Sequence, residues 1–221
     1  MIGQYPGQTP ESHRPGKEEV VSHIDKVVNR ARIRLFLSLQ SEVPDQEDDR
    51  AWTDAGGKVR LPVGGGREDF PQYFTHYAPL VRNTLDCSGA DDSMKSKQEI
   101  SFAHSPILDL NTPNSSSLMS LLSTLLEFLE DEDSCCDEEH SKFRNAVYIH
   151  CWGGRGRAGL VGSCLLSLLF PELDADSCLE WVQSGYDSRD GSAFMPIGLR
   201  RSPQTVQQRN FVKDFVRSSN D

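Results

Sequence analysis

No long hydrophobic run occurs in the sequence, and nothing approaches the roughly 20 apolar residues that a membrane-spanning helix needs. The first residues, Met1-Ile2-Gly3-Gln4-Tyr5-Pro6, lack the basic-then-apolar order of a secretion signal. The expectation is therefore a chain of the cytoplasm, or of the nucleus, with no membrane insertion. Positive charge is scarce as well: 23 Lys and Arg stand against 33 Asp and Glu, a net charge of -10. Nucleic-acid affinity rests largely on basic neutralisation of phosphates, so a general nucleic-acid binder is excluded while a local basic pocket is not. The six cysteines have none of the spaced C-x-x-C pairs of a zinc site, and without a secretion signal they read as reduced thiols. Cys164 and Cys178 fall on apolar helical faces, whereas Cys87 and the pair Cys135-Cys136 lie in polar stretches. No metal and no cofactor is expected, no internal repeat is present, and no feature assigns an oligomeric state.

What is present is a ten-residue stretch, His150-Cys151-Trp152-Gly153-Gly154-Arg155-Gly156-Arg157-Ala158-Gly159. Before it, Ala146-Val147-Tyr148-Ile149 reads as a buried strand; behind it, Leu160 to Phe170 is apolar almost all round, as in a buried helix. A glycine loop between the end of a strand and a helix N-terminus favours a bound anion, because backbone N–H groups and the helix dipole converge there. Arg157 can give two parallel hydrogen bonds to phosphoryl oxygens. Gly153, Gly154 and Gly156 allow close backbone approach and positive φ. In that field Cys151 is favoured as a thiolate, able to attack phosphorus and form a phosphocysteine that water then hydrolyses.

The rest of the chain frames this loop. Residues 1–17, rich in Gly, Pro and polar side chains, read as a surface coil, and 18–221 as one domain with polar insertions near 40–69, 86–98 and 130–142. Val20, Val21, Ile24, Val27, Val28 and Ala31 repeat at helical spacing, and a strand follows in which Ile33, Leu35, Leu37 and Leu39 oppose Phe36. Residues 70–85 read as a helix or as an irregular aromatic segment at the sheet edge. A second strand covers Ile100 to Ile107. Asn114 to Glu130, with Leu118, Leu121, Leu122, Leu125, Leu126 and Leu129, is the clearest amphipathic helix. The acidic stretch 130–139 reads first as a solvated loop and only second as a docking patch for a basic partner. Asp174 caps a helix through about Tyr186, and Ser202-Pro203 reads as the start of the last helix. Strands separated by helices predict an α/β fold, a central mostly parallel sheet with helices on both faces and the loop at its C-terminal edge.

The string His150-Cys151-x5-Arg157 resembles the signature of the cysteine-dependent protein tyrosine and dual-specificity phosphatases. Pro106-Ile107-x-Asp109-x-x-Thr112-Pro113 is similar to the general-acid loop of compact dual-specificity enzymes, notably the kinase-associated phosphatase type, and Gln204-Thr205-x-x-Gln208 to the glutamine-bearing segment of tyrosine phosphatases. The resemblance implies Cys151 as nucleophile and Arg157 as phosphate clamp. Asp109 becomes the acid that protonates the leaving oxygen and later takes a proton from water, with Asp91 and Asp92 as rivals. Trp152, Gly153, Gly154, Arg155 and Gly156 would line the phosphate, His150 would orient the loop, and Gln204 or Gln208 would position water. The family's usual serine or threonine after the arginine is replaced by Ala158, which predicts slower release of the sulfur. A phosphoprotein bearing phosphotyrosine, with phosphoserine or phosphothreonine as further substrates, is the first expectation. Inositol-phosphate, phosphoinositide or other non-protein phosphatase activity, and an inactive phosphate-binding module, remain open at this point.

Overall fold

The computed structural model describes residues 1–9, 16–60, 73–87, 99–130, 145–189, 192, 195–196 and 199–219. Cys135, Cys136, Asp91 and Asp92 lie outside these residues, as do 61–69 of the first expected insertion, 88–98 of the second and 131–142 of the third. The sheet grows from β2 (Leu35–Gln40), whose side chains alternate as the period of a strand requires. Leu35, Leu37 and Leu39 enter one apolar layer and Phe36 the other. Both neighbours of β2 run parallel to it: β5 (Ser101–Ile107) on one side and β6 (Val147–His150) on the other.

The fourth strand corrects the expected N-terminal coil. β1 (Ile2–Gly3) pairs in parallel with β6, Ile2 opposite Ile149 and Gly3 opposite His150, giving the order β1-β6-β2-β5. A two-residue strand is too short to declare itself by alternation. What holds it is close fit: a side chain on Gly3 would collide with the Tyr148 ring, and the Tyr148 hydroxyl donates to the Gln4 carbonyl at 3.0 Å. Replacement of Gly3 by any larger residue would push the strand off its partner.

Helices cover both faces, as all-parallel sheets require. On one side stand α4 (Ser115–Glu130), α5 (Arg157–Leu169), α6 (Ala175–Asp187) and α7 (Val206–Ser219), with Leu118, Leu122, Leu125, Leu160, Val161, Cys164 and Val212 in their shared core. On the other stand α1 (Lys17–Asp25), continued by a π-helical turn (Lys26–Arg30), and α3 (Ala78–Cys87), where Val20, Ile24, Val81 and Tyr77 pack around Phe36 and Tyr148. The segment after β2 is not a bare excursion. It holds α2 (Asp49–Asp54), which buries Trp52, and β3 (Lys58–Arg60), which pairs antiparallel with β4 (Tyr73–Thr75). From Tyr73 on, the aromatic segment is thus part strand, part helix.

The last helix also starts later than expected, at Val206. Ser202-Pro203 is a turn with a cis peptide bond, and the cap is Thr205: its hydroxyl accepts from Gln208 N at 3.1 Å while Gln208 Oε1 accepts from Thr205 N at 3.1 Å. This reciprocal pair satisfies two of the donors that a helix start leaves open. Among the described residues no helix is long and apolar enough to cross a membrane.

Candidate active site

β6 ends at His150, and the chain turns through residues 151–156 into α5, whose first residue is Arg157. Cys151 is buried at the base of a cleft of about 420 Å³ that Trp152, Gly153, Arg155, Gly156, Arg157, Asp109 and Gln204 also line. Of the three glycines only Gly154 has left-handed backbone, φ 62°, and a side chain there would strike the Gly3 carbonyl. A Cβ on Gly156 would crowd the Gln208 amide at 3.2 Å, whereas one on Gly153 would meet nothing within 4 Å. The expected glycine freedom is therefore needed at one position and close approach at two.

Arg157 is only 1% exposed, and a buried guanidinium must be paired. Glu42, from the segment just after β2, supplies a fork: Nη1 donates to Oε2 at 2.6 Å and Nη2 to Oε1 at 2.9 Å. Nη1 also donates to the Ile107 carbonyl at 3.0 Å, and Nη2 lies 3.2 Å from Asp109 Oδ1. Nε alone has no partner, so it is the donor left for an oxyanion. Burial by itself lowers the pKa of this group. The hydrogen bond to Glu42, with the charges of Cys151, Glu42 and Asp109, outweighs that and holds the arginine above its ordinary value.

Asp109 arrives on a turn after β5, where Asn111 N donates to the Leu108 carbonyl at 3.1 Å and Leu110 has left-handed backbone, φ 62°. Two bonds from the α7 start steady this turn, Thr205 Oγ1 to the Leu110 carbonyl at 3.5 Å and Gln208 Nε2 to the Asn111 carbonyl at 3.0 Å. Gln208 is buried with its amide committed to the cap and the turn, while Gln204 faces the cleft. The two glutamines are thus divided between framework and cleft.

His150 lies under the loop. Its Nε2 meets the Tyr77 hydroxyl at 2.7 Å, and its ring packs edge-on against Tyr5 and Tyr77. Nδ1 has no hydrogen bond of good geometry, although the nearby Cys151 backbone exerts a smaller upward pull on the ring. Desolvation dominates and brings the imidazole down to about 3, so it is neutral at pH 7. Above pH 6.5, His150 is neutral both folded and unfolded, and its share of stability is complete. As pH falls from 6.5 towards 3 the unfolded chain takes up the proton first, and stability drops by up to about 1.4 kcal/mol per pH unit. In His150→Gln this contribution is absent, so the acid-side fall in denaturant midpoint should be shallower by one proton; equal slopes would refute the assignment.

Trp152 is half-buried, edge-on to Phe74 at 5.3 Å, and its carbonyl accepts from Tyr5 N at 2.9 Å, so it both packs and lines the cleft. Arg155 donates to the Leu199 carbonyl. Ala158 is fully buried in the first turn of α5. Two charged residues of the site have no signal in the sequence: Glu42, one of several acids in a stretch without periodicity, and Arg189, a cation beyond α6 that lines the same cleft.

A family model described as PTP-SAK, a Swiss Army Knife protein DSP-PTPase phosphatase domain, matches residues 81–212, more than half of the chain. Human cyclin-dependent kinase inhibitor 3 is 28% identical over 112 residues, which are 51% of this chain and 42% of that protein; the same figures hold for the rat protein. The match spans less than half the length of these curated relatives. Among solved structures, kinase associated phosphatase with serine replacing its catalytic-site cysteine aligns with a TM-score of 0.50 and 19% identity, over 98% of this chain and 84% of that one. A PTP-like phytase from Bdellovibrio bacteriovorus aligns with a TM-score of 0.51 and 12% identity, over 98% and 85%. At such identities these two likenesses are of fold.

Proposed function

Since the chain belongs to the DSP-PTPase phosphatase family and is a cysteine-dependent phosphatase, we propose that it acts on phosphoproteins, hydrolysing phosphotyrosine and also phosphoserine or phosphothreonine. In the first step the Cys151 thiolate attacks phosphorus, the bond to the leaving oxygen breaks, and Asp109 gives that oxygen its proton. In the second, water attacks the phosphocysteine, Asp109 takes the proton, and the sulfur leaves as thiolate with inorganic phosphate as product. Arg157 holds the equatorial oxygens throughout, most tightly in the transition state.

The observation that favours a protein substrate is a set of exposed apolar side chains next to residues that line the cleft. Leu108 and Leu110 flank Asp109, Leu199 adjoins Arg155, Val206 follows the Gln204 segment, and all four are exposed. Exposed apolar neighbours of this kind suit the side chains that flank a phosphorylated residue better than they suit a small, multiply charged ring. The name of the kinase associated phosphatase is in keeping with this. A panel of phosphotyrosine, phosphoserine and phosphothreonine peptides set against inositol phosphates tests the reading. Turnover of the peptides is expected, and turnover confined to inositol phosphates refutes it.

Two variants examine the separate steps. Asp109→Asn should lower kcat by roughly 10²-fold on alkyl phosphates, and far less on nitrophenyl phosphate, whose leaving group needs no proton. Equal losses on both would remove Asp109 from the acid role. Ala158→Ser restores a hydroxyl able to stabilise the departing sulfur, and kcat should rise by about tenfold where phosphocysteine hydrolysis limits the rate. A folded variant with an unchanged or lower rate would count against that role.

A further inference from the structure

Ser202, in the turn before α7, is buried at 3% exposure and hydrogen-bonded in two directions. Its Oγ donates to the Arg155 carbonyl at 2.9 Å, and its N–H donates to Gln183 Oε1 on α6 at 2.8 Å. The other end of the Gln183 amide, Nε2, donates to the Arg200 carbonyl at 3.0 Å, so one side chain clips the backbone on both sides of Arg201. The hydroxyl is thereby fixed in place. It also needs room, because a Cβ on Gly159, in the first turn of α5, would collide with Ser202 Oγ. The Arg155 side chain is tied to the same segment through the Leu199 carbonyl.

What the Ser202 bond does follows from the planarity of the peptide. In a trans peptide the C=O and the next N–H point in opposite directions. The Arg155 carbonyl turns back to Ser202, so the N–H of the same peptide, on Gly156, points the other way, to the cleft that Gly156 lines with Cys151 and Arg157. A second peptide of the loop is held in the same manner. The Trp152 carbonyl accepts from Tyr5 N at 2.9 Å, which turns the Gly153 N–H away from the N-terminal segment. Donors aimed before the ligand arrives lose nothing to reorganisation when charge develops on the phosphoryl oxygens.

We infer that Ser202 is a positioning residue: its hydroxyl, held by Gln183, locks the peptide between Arg155 and Gly156 so that the Gly156 N–H is aimed at the bound phosphate. This rests on the phosphatase activity alone, not on the phosphoprotein reading, and is the same for any phosphomonoester. Ser202 acts through the peptide and not by contact with the substrate. Without the hydroxyl the Arg155 carbonyl loses the partner that keeps it out of the cleft, and a peptide that leads into glycine rotates easily. Turned over, it presents a carbonyl to the anion in place of a donor.

Two readouts test this: turnover of an aryl phosphate, and the amide proton shifts of the loop glycines during titration with inorganic phosphate. In the native chain the Gly153 and Gly156 amides should both move downfield. In Ser202→Ala the Gly156 shift should fall to about half or less while that of Gly153 is kept, with kcat/KM down by about tenfold. Gly159→Ala, which favours the helix but pushes the hydroxyl aside, should lose the same Gly156 response with Ser202 still present. A Gly156 amide that phosphate leaves unmoved in the native chain overturns the role. So does a folded Ser202→Ala variant with the native Gly156 response, or with kcat/KM within about twofold of native. Loss of both glycine responses together overturns it too, since the hydroxyl would then support the whole loop and not one peptide. If Ser202→Ala does not fold, Gly159→Ala decides by the same criteria. Neither readout involves a phosphopeptide, so failure of the phosphoprotein reading leaves these outcomes untouched.

Discussion

Replacing Cys151 by serine should abolish turnover of aryl phosphate, by roughly 10⁴-fold, while leaving the fold and phosphate binding in place. The sulfur lies at the base of the cleft and is nearly inaccessible. A hydroxyl occupies almost the same volume there, so packing against the start of α5 changes little. What changes is the nucleophile. Sulfur is by far the better nucleophile towards phosphorus, and the hydroxyl of serine is a poor substitute for it. Two measurements bear on this: steady-state turnover, and a rapid-quench search for protein-bound phosphate, present in the native enzyme and absent from the variant. A variant within tenfold of the native rate would eliminate the covalent step.

Glu42→Ala should be the most destabilising single change at the site, at about 3 to 5 kcal/mol, with a fall in Tm on the order of 10 °C. The pair it breaks is buried, Arg157 at 1% and Glu42 at 15% side-chain exposure, and it is bidentate. Removing the acid leaves a guanidinium in the interior with the Ile107 carbonyl and half-exposed Asp109 as its only neighbours of use. The arginine is then drawn towards Asp109, the group proposed to carry the proton. Loss of kcat/KM should therefore accompany the loss of stability. Glu42→Gln, which keeps the shape and one acceptor, should lie between the two. If Glu42→Ala unfolds at the native midpoint, the fork contributes nothing and Arg157 is held by the loop alone.

The contrast between these two residues shows what a sequence can disclose. Cys151 and Arg157 are legible because both sit on one short loop whose flanks have clear periods, an apolar strand before and an apolar helix behind. The approach of Asp109 follows from parallel pairing of β5 and β2, which brings separate strand ends to one edge of the sheet. Glu42 is hidden because its neighbours Asp45, Glu47, Asp48 and Asp49 are acids too. Only the path of the chain after β2 selects it. Arg189 lies in a polar helix end where nothing but tertiary position separates it from any solvated arginine. Ser202-Pro203 misled because it copies the chemistry of a helix start, whereas the hydrogen bonds that begin α7 are made by Thr205 and Gln208. The order of residues 1–9 comes from partners remote in sequence, Thr75 for Tyr5 and Gln8, and Tyr148, Trp152 and Arg189 for Gln4, Tyr5 and Ile2, so local pattern cannot announce it.

β1 has one more consequence. Without it β6 would be an edge strand, and its outer N–H and C=O groups, beside the apolar Val147 and Ile149, would offer a template to a second chain. Two residues close that edge, and they are paired with positions 147 residues further along. Contacts of such separation form late in folding, because the intervening chain must first be ordered. Aggregation of the folding chain and assembly of the reactive loop thus compete for the same strand, and the pairing of Ile2 and Gly3 ends both processes at once.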